Sequence, residues 1–522
     1  MPLKKSNKPS TMESTAPTAV DAIEAEQSSK MPSMGFGINK YTLICSILAS
    51  TNSILLGYDI GVMSGAVLYI QENLNISSTQ VEILVGSLNL LSLIGSLASG
   101  RTSDSIGRRY TTFLASTTFL IGALLMGLAP SYPLLLAGRM IAGVGVGYAL
   151  MIAPVYTAEL SPATSRGLLS SLPEIFITLG ILLGYIINYA LSGLSPHINW
   201  RIMLGLAGIP AVGVGLGVLT MPESPRWLVM KGKSEEAKKV LIKISANEIE
   251  AEERLRSITE AAAAAADVVV GGWHGQGVWK ELLINPTKPI RRMLIAAIGI
   301  NFFMQASGND AVMYYSPEVF RAAGIHQKRH LFGVNVVMGV TKTCFVVLSA
   351  LYLDRFGRRP LLVSGSSGMT VALALLGLGS KLMEKGKSRP KWGVVLSIVA
   401  LCSEVALFSI GLGPITWVYT SEIFPNRIRA QGSSLATSVN RLVSGVVSMT
   451  FLSISKEITF GGMFLMLSGI MAVATIFFYF FLPETKGKSL EEMEILFQDE
   501  DINCKQHNNE SNSKCLQIDD TF

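Results

Sequence analysis

The chain alternates apolar windows, each long enough for an α-helix to cross a bilayer, with polar connections that are mostly short. A crossing helix needs about 20 mainly apolar residues. Twelve such windows can be marked, beginning near residues 41, 80, 110, 133, 168 and 200, and again near 292, 331, 360, 392, 431 and 460. No single soluble core accommodates so many. Only 15% of the 522 residues are charged and 49% are hydrophobic, against about 25% charged in a soluble domain. The 49 glycines point the same way, because glycine weakens soluble helices yet is common where helices pack inside lipid. The expected fold class is therefore an all-α membrane protein.

The windows divide the chain. Residues 1–40 are rich in Ser, Thr, Lys and Pro and read as a disordered tail. Residues 41–220 and 291–482 hold six windows each, 221–290 is a polar linker with the signature of short amphipathic helices, and 483–522 is a second tail. The first window starts too late for a signal peptide and is expected to remain as a span. Placing both tails and the linker in the cytoplasm puts most of the 43 basic residues there, as the positive-inside rule requires. The basic loop "SKLMEKGKSRPKW" is the exception. The sequon at Asn75 then faces outside and is a candidate for glycosylation.

A net charge of +6 arises from short basic clusters between apolar runs, which excludes a nucleic-acid groove. Cys45, Cys344 and Cys402 lie in apolar runs and Cys504 and Cys515 in the tail, so neither a disulfide framework nor a zinc site follows. His197, His274, His326, His330 and His507 form no metal pattern. No cofactor loop or nucleophile-base set is visible, so an enzyme is not expected. Gly143, Gly145 and Gly147 sit within an apolar window and read as close helix packing rather than a nucleotide loop.

The two halves repeat each other. "GRTSDSIGRR" follows the second window and "LDRFGRRP" the eighth; "YTAELSPATSRG" ends the fourth and "YTSEIFPNRIRAQG" the tenth; "PESPRW" follows the sixth and "PETKG" the twelfth. Such pairing indicates an internal duplication, the architecture of secondary transporters. The clustered acids and bases Asp104, Arg108, Glu159, Arg166, Asp354, Arg358, Glu422 and Arg429 are expected to latch the cytoplasmic face, pairing when it is closed and separating when it opens.

Taken together, these motifs resemble the sugar porter family of the major facilitator superfamily, from about Tyr41 to Glu491, and within it most resemble plant polyol and monosaccharide transporters. The resemblance implies two six-helix bundles, a substrate site near the bilayer midplane, and proton-driven transport of sugars or sugar alcohols.

A carboxylate within a span needs a partner. For Asp59, in "ILLGYDIGVMSGA", the family pattern supplies Arg139, and such a pair could load and release a proton. Asp59 and Arg139 are thus the expected proton-coupling residues. The resemblance places Gln305, Asp310, Tyr314 and Tyr315 of the seventh span at the substrate, with Trp417 and Asn440 completing the wall. Glu174, Asp310 and Lys342 stand where hexose carriers have amides, and Lys342 is expected to pair with one or both acids. Charged groups bind hydroxyls more strongly than amides do, which suits an open-chain polyol.

The leading functional expectation is a proton-coupled symporter of polyols, with monosaccharides as a second substrate class, acting as a monomer in the plasma membrane with both termini cytoplasmic. The proton is the co-transported ion and no cofactor is expected. A passive facilitator of the same fold and a non-transporting membrane sugar sensor are the alternatives.

Overall fold

The computed structural model describes residues 39–162, 166–245, 247–267, 276–325, 327–385, 391–425, 428–486 and 497. The expected N-terminal tail, His274, His326, His507, Cys504 and Cys515 lie outside the described residues, as does the side chain of Arg166. The described residues are helical, with no strand among them.

The first half of the chain contains α1 (Lys40–Thr51), α2 (Ser53–Leu74), α3 (Ser78–Ile106), α4 (Arg108–Gly127), α5 (Tyr132–Leu160), α6 (Arg166–Leu191), α7 (Pro196–Gly205) and α8 (Gly208–Val218). The linker forms α9 (Pro225–Met230), α10 (Ser234–Ile244), α11 (Glu248–Asp267) and α12 (Gln276–Leu283). The second half contains α13 (Lys288–Ala306), α14 (Asn309–Tyr314), α15 (Ser316–Ala323), α16 (Lys328–Phe356), α17 (Arg358–Lys385), α18 (Lys391–Ile410), α19 (Leu412–Glu422) and α20 (Arg429–Phe481).

Local chemistry sets the boundaries. Ser77 and Gln80 form a reciprocal capping box at the start of α3, satisfying N–H groups that have no partner within the helix. At Gly308 the backbone turns to φ 79°, a conformation open to glycine, and separates α13 from α14. Thr459 (φ 64°) interrupts α20, where the sequence places the start of a new window.

Among the described residues, 10 helical stretches are long and apolar enough to cross a membrane. Their exposure pattern is inverted relative to a soluble protein. Leu128 is 78% and Phe480 73% exposed, while Asp59, Arg139, Glu174 and Arg441 are buried. Apolar surface faces outward and the charged groups face one another, as lipid demands. The chain is a multi-pass integral membrane protein.

In the first half α3 and α4 pack on α5, and α2 packs on α6; in the second, α17 packs on α18 and α20, and α13 on α20. The halves meet along α3 against α20 and α6 against α16. Small residues permit the closest approaches: a Cβ at Gly147 would lie 2.1 Å from the Ser92 carbonyl oxygen, and one at Gly143 2.4 Å from that of Leu88. These glycines serve packing. The linker helices bury Leu228, Ala237, Leu241, Ile244 and Ala251 against Cys45, Tyr156, Leu160 and Val218 at the ends of α1, α5 and α8.

Candidate functional site

The span-buried acid in α2 meets its cation. Asp59 Oδ1 accepts a hydrogen bond from Arg139 of α5 at 2.5 Å, and both residues are at most 1% exposed. Arg139 also donates through Nε to the Leu84 carbonyl (3.2 Å) and through Nη2 to that of Val85 (3.4 Å) in α3. Asp59 Oδ2 is left buried without a partner. The pair thus has a fixed cation and one free acceptor position.

A cavity of about 10 Å³ lies between the halves, lined in part by Glu174, Gln305, Asp310, Lys342, Trp417 and Arg441. That is room for about one water, so this is a closed state. Trp417 Nε1 donates to Glu174 Oε2 at 2.8 Å. Gln305 Nε2 donates to Asn440 Oδ1 at 3.2 Å, and Ser444 donates to Asp310 Oδ2 at 3.1 Å. Asn440 stands behind Gln305 and is not among the lining residues.

The expected pairing of Lys342 with Glu174 or Asp310 is not formed. Asp310 faces Arg441 instead, at 3.5 Å, and the Lys342 ammonium sits over the Phe408 ring, 4.8 Å from its centroid. The reason is rotational. Arg441, adjacent to Asn440 on α20, points inward, donates to Asn440 Oδ1 (2.9 Å), and reaches Asn89 of the first half (3.4 Å). The sequence marks Arg441 as a charge beside Asn440, where the family often carries an aromatic, and leaves its direction open; the structure turns it into the cavity wall.

The two tyrosines separate. Tyr315 stacks on Phe451, with centroids 5.4 Å apart, and donates to the Ser448 carbonyl at 2.9 Å. Tyr314 keeps a buried hydroxyl without a partner, within electrostatic reach of Asp59, Arg139, Asp310 and Arg441. Neither tyrosine is among the residues lining the cavity.

The repeated motifs build matching clusters at one end of the molecule. In the first half Arg108 binds Glu159 through two bonds of 3.0 Å and Asp104 through one of 3.1 Å. In the second, Arg358 binds Glu422 at 3.1 Å and Asp354 at 3.0 Å. Each aspartate also crosses to the other half: Gln431 donates to Asp104 at 2.5 Å, and the Leu168 N–H to Asp354 at 3.2 Å. Arg429 donates to the Phe424 carbonyl at 3.1 Å and acts electrostatically on Glu159.

The motifs after the sixth and twelfth windows complete these clusters, a role that sequence reading missed. Glu223 accepts the N–H groups of Arg108 (2.8 Å) and Arg109 (3.2 Å), and Glu484 those of Arg358 (3.0 Å) and Arg359 (2.9 Å). The next residue in each motif, Ser224 or Thr485, donates to Glu159 (2.5 Å) or Glu422 (3.4 Å). The repeated "PE" dipeptide was the available signal. Gly107 (φ 98°) and Gly357 (φ 89°) turn the backbone so that the following N–H groups face these carboxylates. Burial holds the Glu223 carboxyl above its ordinary value, against the lowering effect of the N–H bonds from Ser224, Arg108 and Arg109.

The opposite end is closed too. Glu82 of α3 accepts the N–H (2.8 Å) and hydroxyl (2.6 Å) of Ser453 in α20, and Lys328 pairs with Glu72 at 2.6 Å.

A helical membrane assembly with a closed central cavity and paired clusters is the form of a major facilitator transporter, and comparison with known proteins agrees. Residues 45–497 match the family described as sugar (and other) transporter, and the chain belongs to it. Polyol transporter 5 of Arabidopsis thaliana is 54% identical over 466 residues, covering 88% of this chain and 86% of that protein. The fold overlays the proton:xylose symporter XylE bound to 6-bromo-6-deoxy-D-glucose with a TM-score of 0.77 and 29% identity, covering 88% of this chain and 99% of the other. Against the inward-open conformation of XylE from E. coli, with 29% identity and 87% and 100% covered, the TM-score is 0.67.

Proposed function

We propose that the chain is a proton-coupled symporter that imports polyols, with monosaccharides as a second substrate class, by alternating access between two six-helix bundles of twelve spans. The count of twelve treats α13 with α14 as one broken span and divides α20 at Thr459. The observation that carries the reading is the Asp59–Arg139 pair with its free Oδ2, next to a cavity lined by charged hydrogen-bonding groups. Oδ2 is where a proton would add, weakening the bond to Arg139, and Tyr314 stands where that change can be felt at the cavity. Glu174, Gln305, Asp310, Lys342, Trp417 and Arg441 supply donors and acceptors for hydroxyls, with the Trp417 indole face against the C–H side. Asn440 and Tyr315 hold that wall in place.

In this reading the charge clusters and both termini face the cytoplasm, the clusters part to release substrate inward, and the protein works as a monomer in the plasma membrane. The polyol relatives and the proton-symporting structural neighbour support this assignment. The test is to add sorbitol to a weakly buffered suspension of cells expressing the protein and record external pH. Alkalinisation abolished by a protonophore is expected. Uptake of labelled sorbitol with no pH change would establish the facilitator, and binding with no uptake the sensor.

A further inference from the structure

One buried carboxylate takes no part in this scheme. Glu404 lies in α18, 1% exposed, and neither of its oxygens has a hydrogen-bond partner. A bare carboxylate in such surroundings is far costlier than a protonated one. Phe408, one turn further along the same helix, carries the Lys342 ammonium on its ring. Lys342 acts electrostatically on Glu404 and on Glu174 in the cavity wall, so one cation serves two acids.

The surroundings offer no other counter-charge among the described residues. Of the elements packed on α18, α16 brings Lys342. In α15, Glu318 and Arg321 pair with each other at 3.0 Å. The charged residues of α17 are near its ends, and Glu422 of α19 is bound to Arg358. Cys402 is the neighbouring titratable group on α18 itself.

Across the whole cluster, three acids (Glu174, Asp310, Glu404) face two bases (Lys342, Arg441), so full ionisation leaves one negative charge unbalanced. The proton that restores neutrality belongs on the acid with the fewest donors. Glu174 accepts from Trp417, and Asp310 from Ser444 with Arg441 beside it. Glu404 accepts from nothing.

We infer that Glu404 is a second proton-binding site, distinct from Asp59 and linked through Lys342 to the substrate cavity. Lys342 drawn toward Glu174 leaves Glu404 to hold a proton; Lys342 turned toward Glu404 lets that proton go. The site stands on this geometry, and only its consequence for transport rests on the symporter reading.

Infrared titration of the full-length protein in lipid vesicles tests it, following the carbonyl stretch of protonated carboxyl groups without any transport measurement. One component is expected to vanish in Glu404→Gln and to survive in Asp59→Asn. In Lys342→Met, which leaves Glu404 in place, the same component should persist to higher pH by about one unit or more, the size of effect that losing a nearby cation has. A spectrum unchanged by Glu404→Gln, or a component unmoved by Lys342→Met, overturns the proposal. If Glu404→Gln fails to fold, Lys342→Met is titrated in a Glu174→Gln background, where a component moved to higher pH can no longer belong to Glu174 and the absence of one overturns the proposal. Sorbitol uptake without proton movement would refute the symporter while leaving the infrared result intact.

Discussion

The cluster end and the membrane core of the duplicated design have diverged to different degrees. At the cluster end the halves match almost group for group: arginine on glutamate, aspartate across to the other half, a "PE" carboxylate on the following helix start, and a hydroxyl closing the set. At membrane depth they do not match. The first half holds one tight pair, Asp59–Arg139, and the cavity is bordered by a looser array around Lys342 and Arg441. On the proposed reading the clusters are a gate, which must act on both halves alike, and the core divides proton binding from substrate binding, which are different tasks.

The largest test of that separation is transport. A gradient of one pH unit supports about tenfold accumulation through a one-proton carrier. In proteoliposomes, Asp59→Asn is expected to lower labelled sorbitol to its equilibrium level, whereas Glu174→Gln keeps gradient-driven accumulation with a weaker apparent affinity. Equal loss in both would erase the distinction between pair and cavity.

Next comes the symmetry of the clusters. Arg108→Met strands the buried Glu159 and should cost about 3–5 kcal/mol, read as a fall in thermal stability in detergent. Arg358→Met is expected to cost less, because Arg358 makes one bond to Glu422 where Arg108 makes two to Glu159. The reverse order would show that the second cluster bears more of the closed state.

A smaller effect is expected where the clusters cross between halves. Gln431→Ala removes a donor to Asp104, worth about 1 kcal/mol, or roughly a fivefold shift toward the inward-open form. Asp354→Asn retains an acceptor for the Leu168 N–H and should shift the balance less. Accessibility of an engineered cysteine in the cavity from the cluster side measures both.

The smallest concerns pH. Because burial raises Glu223 in the folded chain, its contribution to stability is full below about 4.5 and is lost as pH rises through the higher folded value. Glu223→Gln should flatten the pH dependence of melting over that interval. A steeper profile would mean that the three N–H donors outweigh burial.

Much of this was legible in the residues. Apolar runs of crossing length announced the helices, and their polar interruptions fell within a few residues of the observed starts at Ser78, Arg108, Tyr132, Lys328 and Arg358. Duplicated motifs located the clusters, the acid within the first apolar run called for a cation, and the family resemblance supplied Arg139. What stayed hidden was the direction of charged side chains on helices that are apolar nearly all round. Such a helix has no polar face to orient it, so Arg441, Glu404 and the true neighbours of Lys342 could not be placed.

Composition and pattern by themselves determined a multi-pass helical membrane protein with repeated halves and an ionisable group that had to be paired, because lipid penalises every exposed charge regardless of how helices are arranged. Tertiary structure alone decided which charge meets which. Helix rotation and the close approaches at Gly143 and Gly147 set those distances, and electrostatic pairing depends on distances of a few ångströms that no linear spacing encodes.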